Sequence, residues 1–575
     1  MKTDLLTPLE KLWDRIYGKF SPPRFYFVLL TVLILGGFKV LLLPGIPAGH
    51  DIGFHLSRIA GVAASLRGGI FPTWINYDAV HRMGYGVGFF YSDVTVYLPA
   101  ALAACGVPLI TAYKLFLLGC GLVAGWSMFF AGWKIGKKSG FAAFAAALLY
   151  VWSSYFATDV FNRAALGEVT AFVFVPWILL GIYNVLYGRA SDFMPLAFGF
   201  AGLFYAHSIT FVLMAIGTSL FFAFAFPRLL HDWRRLFWIG LAGALATGLA
   251  AFAFIPMFEQ LAHLKFNLTG QTMESPVHLS AVPLTRLFLE LPYMKLEYWI
   301  PPGIGIIFLV VMFQRFRVKL SDEPAGRFRD AAMITGFAFL LAATNFLPWE
   351  GMMRSLSSIQ FPWRCYLPAT AFLALSGGLL AGKIVEDGIG DRFRWTWILI
   401  IGCGFAWSIN TAYTYAAKIH EKQILRNFDA AMIQRFGASG QHYLQQGVKL
   451  DDLSDAPVPV AKDGLRVGSV ELKRPRYGVL VIDIDDIRKG GKLELPLTPY
   501  YGYRAESVED GQRFALDFAD HKFNLVIPED YDGDDIRIIY CNTGAQKLAL
   551  AVSLFSLILA GGWEIIKKRT NHREK

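Results

Sequence analysis

Apolar residues run along this chain in blocks as long as a bilayer is thick, and polar residues gather between them. From Phe25 to Pro44 the stretch FYFVLLTVLILGGFKVLLLP carries a single charge. About 20 helical residues at a rise of about 1.5 Å cover a hydrocarbon core of about 30 Å. The block is longer than a signal-peptide core and no small-residue cleavage site follows, so it is expected to remain as the first span. Further spans are expected at 109–132, 140–157, 169–187, 236–255, 331–347, 365–382, 395–412 and 546–564. Two shorter blocks, 193–206 and 208–226, are expected to form a hairpin, and 301–314 to cross as well. The block 94–107 is expected to be re-entrant or interfacial, because a crossing there would put the lysines at 134–138 outside. The pattern predicts about twelve spans with both ends of the chain inside.

Between 458 and 541 the period changes from blocks to alternation, as in VGSVELKRP, YGVLVIDID, RFALDFAD and IRIIYC. Turn pairs separate these runs at Gly490-Gly491, Asp510-Gly511 and Asp532-Gly533. A period of two with such turns predicts a small β-sandwich before the last span. The stretch 413–445 is expected to be a helical link to it. The expected fold class is therefore a polytopic α-helical membrane protein with a small extracytoplasmic β-sandwich domain. Its expected parts are a cytoplasmic segment 1–24, a transmembrane domain 25–412 with a first outer loop 45–93, the outer linker and β-domain 413–545, and a last helix with a basic tail 546–575.

Composition agrees with a membrane protein: 55% of the 575 residues are hydrophobic and 17% charged, more apolar than a soluble domain covers with polar surface. The net charge of +10 would fit nucleic acid, but the basic residues sit in short segments between apolar blocks. Such segments are cytoplasmic anchors facing membrane lipids, so no nucleic-acid partner is expected. Residues 45–93, 158–168, the tip near His207, 256–300, 348–364 and 413–545 then face the other side. The five cysteines form no CxxC pair, and no glycine-rich phosphate loop marks a nucleotide-driven pump or a kinase. EDYDGDD at 529–535 lacks EF-hand spacing and is expected to be an acidic turn.

The outer segments hold the polar residues that topology does not explain. GHDIGFHLSRI supplies His50, Asp51, His55 and Arg58, and the same loop ends with Tyr91 and Asp93. Asp51 also precedes a helical pattern, where a plain N-cap is the simpler role. DVFNRAALGE adds Asp159, Arg163 and Glu168. His207 stands alone at a hairpin tip, where a packing histidine is the simpler role. Arg364 in QFPWR begins an outer helix, against both the positive-inside bias and the helix dipole; a nearby anion explains both.

An aspartate directly after the first span resembles the GT-C class of integral membrane glycosyltransferases, whose donors are polyprenyl-phosphate sugars. Taken together, GHDIGFHLSRI, FFYSDVTVYLPA, NRAALGE, AHSIT and QFPWR resemble the YfhO-type bacterial membrane proteins and the related family labelled 6-pyruvoyl-tetrahydropterin synthase-related. ELPLTPYYGYRAESVEDGQ is similar to the YfhO-type outer β-domain. The resemblance implies an extracytoplasmic transferase in the cell membrane, moving a sugar from a polyprenyl-phosphate donor to a cell-envelope glycan, polymer or lipid. It assigns the catalytic carboxylate to Asp51. The chemistry then asks for cations at the leaving phosphate, here Arg163, His207 and Arg364, with His50, His55, Arg58, Tyr91, Asp93 and Glu168 in support. His50 and Ile52 flank Asp51 where some GT-C enzymes carry Asp-Glu or Glu-x-Asp pairs, so no cofactor is assigned and a divalent metal is left as the alternative. A transporter or flippase of the same lipid is the competing function; it calls for ionisable residues near the midplane, of which Lys114 is one. A wall-binding anchor does not need about twelve spans.

Overall fold

The computed structural model describes residues 23–270, 277–288, 303–318, 323–349, 359–386, 424–439, 441–453, 458–519, 521–531 and 533–573, with scattered positions between 402 and 417. Among the described residues, six helices are long and apolar enough to cross a membrane: Pro23–Leu42, Leu109–Ile135, Leu166–Leu186, Arg234–His263, Pro362–Glu386 and Gly544–Thr570. Gly140–Val151 and Ser154–Arg163, bent by 40° at their junction, make a seventh if they act as one span.

The helices that position the site are α1 (Pro23–Gly37), α2 (Ile52–Arg67), α3 (Leu109–Ile135), α4 (Gly140–Val151) and α5 (Leu166–Leu186). They continue with α6 (Met194–Ala206), α7 (Ser208–Phe224), α8 (Arg234–His263), α9 (Pro324–Ala342), α10 (Tyr366–Glu386) and α11 (Gly544–Arg573). About twelve crossings were expected, three of them from shorter blocks, and among the described residues those three form helices of 17 residues or fewer. The hairpin blocks form α6 and α7, of 13 and 17 residues, interrupted at His207. The block 301–314 yields the eight-residue helix Ile306–Phe313. The block 331–347 begins early, at Pro324, and so takes Arg327, Arg329 and Asp330 into its helix. The block 94–107 forms only the short apolar unit Asp93–Ala104. The expected span 395–412 lies outside the described residues apart from isolated positions.

α10 runs through the centre of the bundle, buried along its whole apolar window. It meets α4 where Gly378 faces Ala146 and Gly382 faces Ala142, small residues that let two helix axes approach closely. The basic segments collect at one end of this bundle. Arg228 and Arg235 donate to the Leu186 and Val185 carbonyls at the C-terminus of α5, at 2.6 and 2.9 Å. Arg315 clasps Asp330 through two bonds of 2.9 and 2.8 Å, and Lys567 meets Asp192 at 2.6 Å. The loop after α1, the turn before α5, the break between α6 and α7, and the start of α10 lie at the opposite end.

The C-terminal region folds as two antiparallel sheets. One, of four strands, has the order β3 (Val460–Lys462), β6 (Gly491–Glu494), β10 (Lys522–Ile527), β9 (Leu516–Ala519). The other, of five, has β4 (Ser469–Arg476), β5 (Val479–Asp485), β11 (Asp535–Tyr540), β7 (Tyr503–Ser507) and β8 (Arg513–Phe514). Leu480, Ile482 and Ile484 from one sheet and Leu493, Leu525 and Ile527 from the other share a core, as alternation requires. This region is seated on the bundle. Gln260 and the backbone of Tyr501 exchange bonds of 2.8 and 2.9 Å, Trp74 donates to Asn542 at 2.8 Å, and Trp74, Phe89, Phe252, Phe266 and Tyr500 pack together.

The expected helical link at 413–445 is mostly not helical from 424 onward. There it holds one seven-residue helix, Ala430–Phe436, started by the Asp429 carboxylate accepting from the Met432 N–H at 3.0 Å. Just before it, β2 (Ile424–Leu425) pairs with β1 (Ile46–Pro47), so the link is tied to the loop that carries Asp51.

Candidate active site

Asp51 occupies the residue before α2, yet its side chain makes no capping bond to that helix. The loop is held by backbone instead: the His50 and Asp51 N–H groups donate to the Asn162 and Arg163 carbonyls at 3.3 and 2.9 Å. The chain at 159–163 can receive them because Ser153 caps a new helix, Asp159–Arg163 opens into a π-helical turn, and Ala164 closes it with φ of 54°. The Asp51 carboxylate is thus spared from capping and placed beside the arginines. It keeps some exposed surface while protein surrounds most of it. Burial raises its pKa above the ordinary 3.8, opposed by Arg163 and Arg364. Burial also lowers the pKa of the neighbouring His50, against the pull of Asp51.

Behind Asp51 lies a buried lattice of charge. Arg163 binds Asp159 through Nη1 at 2.6 Å and Glu168 through Nη2 at 2.9 Å. Glu168, in the first turn of α5, also accepts from Arg364 Nε at 3.3 Å and from the Tyr155 hydroxyl. Arg364 is further held by the Ile359 carbonyl at 3.0 Å and by Gln360. Two guanidinium groups thereby share one carboxylate across segments almost 200 residues apart. His207 closes a third side. Its Nδ1 accepts from the Thr210 N–H at 3.3 Å to start α7, which leaves Nε2 to carry the proton of the neutral ring.

The sequence assigned Arg163, His207 and Arg364 together to the donor phosphate, and geometry separates them. Arg163 has both terminal nitrogens committed to the carboxylates of Asp159 and Glu168. Arg364 uses Nε and Nη1 and leaves Nη2 without a partner among the described residues. His207 offers Nε2–H. These two, not Arg163, have donors to give.

The supporting residues divide in the same way. Arg58 and Asp93 form a buried pair at 3.1 Å, and Arg58 also donates to the Tyr91 and Ser92 carbonyls, each at 3.0 Å. Its guanidinium lies 4.2 Å from the Tyr91 ring centre. The pair is therefore a latch that sets Tyr91, and Asp93 is not free to act as a base. Burial, outweighing Arg58, raises the Asp93 pKa to about 6. Tyr91 in turn lies against Gly167: a Cβ there would fall 1.7 Å from the Tyr91 hydroxyl, so only glycine admits this contact. His55 is buried between Arg58 and His207, with its Nδ1 unpartnered among the described residues. Burial and Arg58 hold it well below its ordinary pKa, hence neutral.

Three contributors were missed in the sequence. Tyr155 was absorbed into the span expected at 140–157, although its position four residues before Asp159 puts both on one helical face. Gln360 opens the quoted QFPWR motif without having been singled out, and has φ of 63°. Tyr113, one turn into α3, places a buried hydroxyl, with no partner among the described residues, within electrostatic range of Asp51. No group of three His, Cys, Asp or Glu side chains converges among the described residues, and no step below is routed through a metal.

No family model and no curated protein matches the chain, so the resemblance to YfhO-type proteins rests on the motifs quoted above. Among solved structures it is similar to arabinofuranosyltransferase AftD from Mycobacteria, with 14% identity and a TM-score of 0.42 over 68% of this chain and 28% of that one. It is similar to the Archaeoglobus fulgidus oligosaccharyltransferase AglB in complex with an inhibitory peptide and a dolichol-phosphate, with 12% identity and a TM-score of 0.41 over 70% of this chain and 56% of that one. A third likeness is to ArnT from Cupriavidus metallidurans bound to undecaprenyl phosphate, with 11% identity and a TM-score of 0.38 over 72% and 77%. The chain spans about a quarter of AftD and about half of AglB. With TM-scores below 0.5, substrate and mechanism have to be argued from the chain's own residues. What those residues define is a mostly helical membrane protein with a carboxylate and two arginines gathered at one end of its bundle.

Proposed function

We propose that the chain is a GT-C-type glycosyltransferase that moves a sugar from a polyprenyl-phosphate donor to a cell-envelope glycan, polymer or lipid on the outer face of the membrane. The observation that carries this reading is Asp51: a carboxylate released from helix capping, partly open to solvent, with its pKa raised and Arg364 close by. In the reaction, Asp51 accepts the proton of the acceptor hydroxyl. The acceptor oxygen bonds to the anomeric carbon, the bond from that carbon to the phosphate oxygen breaks, and polyprenyl phosphate leaves with one more negative charge. Arg364 Nη2 and His207 Nε2–H receive that charge, while Glu168, Arg163 and Tyr155 hold Arg364 in place. A stable phosphate leaving group needs no acid, and displacement by one base favours inversion.

The outer assignment of this end rests on the basic segments gathered at the other. In this reading the two sheets with one core are the outer β-sandwich. The short helices α6, α7 and Ile306–Phe313 count among about twelve crossings in this reading. The competing transporter loses its midplane cation: Lys114 lies one turn into α3 and donates to the Leu43 carbonyl at 2.5 Å, level with the exit of the first span. Reconstituted protein given a labelled lipid-phosphate sugar and envelope acceptors tests the choice. Transfer to acceptor is expected, and movement of the donor across the bilayer without transfer would refute the enzyme.

A further inference from the structure

At the end of the bundle opposite Asp51, the turn between α3 and α4, the start of α9 and the end of α10 line a small open crevice. α10 has 21 residues between Tyr366, beside Arg364, and Glu386 on the crevice. At about 1.5 Å per residue it puts the crevice about 30 Å from the candidate active site, at the other bilayer surface. Two helix N-termini open onto it. Ser139 caps α4, accepting from the Ala142 N–H at 3.3 Å, whereas Glu323 makes no side-chain cap on α9, whose first turn lines the crevice with Ala325 and Gly326. Aligned peptide dipoles at such ends favour an anion.

An independent feature points the same way. Arg329 lines the crevice, is 3% exposed, and has an Nη2 with no hydrogen-bond partner among the described residues. Its Nε is bonded to Asp330 at 2.9 Å, but Asp330 is already clasped by Arg315, so one carboxylate serves two guanidinium groups. A buried donor left unsatisfied is costly, and an anion would recover that cost. At the rim Lys137 balances Glu323 at 2.6 Å, Lys383 also lines the crevice, and Glu386 is exposed to solvent. The remaining wall is apolar, from Ala142 and Leu379.

We infer that this crevice binds the phosphate of an anionic phospholipid headgroup from the membrane leaflet opposite the active site. A cationic floor with an apolar wall at the bilayer surface suits an amphiphile better than a free ion. The probe is short-chain phosphatidylglycerol, titrated onto the full-length protein in neutral detergent and followed by native mass spectrometry. Tighter binding than phosphatidylcholine is expected, weakened about tenfold or more by Arg329→Gln, in keeping with one charge-assisted contact. Lys137→Gln, a change at an exposed position, is expected to weaken binding a few-fold with the fold intact, and it serves if the Arg329 variant does not fold. Inorganic phosphate is expected not to displace the lipid at equal concentration. Equal binding of both lipids, no loss in either variant, or displacement by inorganic phosphate at equal concentration would each overturn the assignment.

Discussion

Replacing Glu168 with Gln removes one negative charge from the lattice behind Asp51 while keeping its shape, and its effects on folding and on donor binding should have opposite signs. Glu168 joins Arg163 at 2.9 Å and Arg364 at 3.3 Å, with side chains 2%, 7% and 10% exposed. Removing one partner of a buried ion pair costs about 3–5 kcal/mol, because the charge left behind stays desolvated. Glu168 supplies a negative charge beside Arg163 and Arg364 at the proposed donor site, so the substitution makes that site one unit more positive. At an effective dielectric of about 20, one charge removed at about 6 Å from a phosphate changes its energy by about 2–3 kcal/mol. The variant should therefore be about 3–5 kcal/mol less stable in detergent denaturation, yet bind polyprenyl phosphate at least as tightly as the parent. Unchanged stability would show that the pairs are not desolvated. Intact folding with weaker lipid binding would refute the claim that Glu168 opposes the phosphate charge and holds the arginines.

Arg364→Ala should weaken donor binding by roughly 10-fold to 150-fold, the worth of a charge-assisted contact of about 1.5–3 kcal/mol; equal affinity measured on folded protein would remove Arg364 from the site. Gly167→Ala should abolish transfer by displacing the Tyr91 ring, since its Cβ would fall 1.7 Å from that hydroxyl. Adding Tyr91→Ala should restore folding by removing the ring, and no rescue would mean that the Ala206 carbonyl, 2.9 Å away, is the true obstacle. Transfer should fall on acidification with a midpoint above the ordinary aspartate value of 3.8, because burial raises the Asp51 pKa and only the ionised form takes a proton. Stability should move the other way. Asp51 and Asp93 both bind a proton more readily folded than unfolded, so their contribution is full at low pH and is lost as pH rises toward about 6; a pH–rate profile and a pH series of denaturation check the two signs.

Which features were legible in the sequence follows from what kind of physics sets each one. The first span and the long helices α3, α5, α8 and α11 were visible because a bilayer demands unbroken apolar length. The alternation of β4 to β11 was visible because one face of each strand meets a core. The break at Ser153 was not, since a serine N-cap inside an apolar run alters hydropathy little, and with it went Tyr155. The shortness of the 424–445 helix depends on Asp429 and on β2 pairing with β1, a contact across nearly 380 residues that no local pattern records. Asp51, Arg58, Tyr91, Asp93, Arg163, Glu168, His207 and Arg364 were all noticed as outer polar residues. Their division into a latch, a charge lattice and free donors was invisible, because it depends on which nitrogen meets which oxygen after folding. The Asp51 N-cap expectation failed for the same reason: position before a helix was right, and the side-chain bond was not made.

The most direct test of the central claim is the turnover of Asp51→Asn with donor and acceptor both saturating. Asparagine keeps the size of the side chain, and no capping bond exists to be lost. If Asp51 is the base, the rate should fall by about 10²–10⁴, the usual worth of general-base catalysis, while stability and donor binding stay near the parent values. A near-normal turnover of the folded asparagine variant would contradict the account.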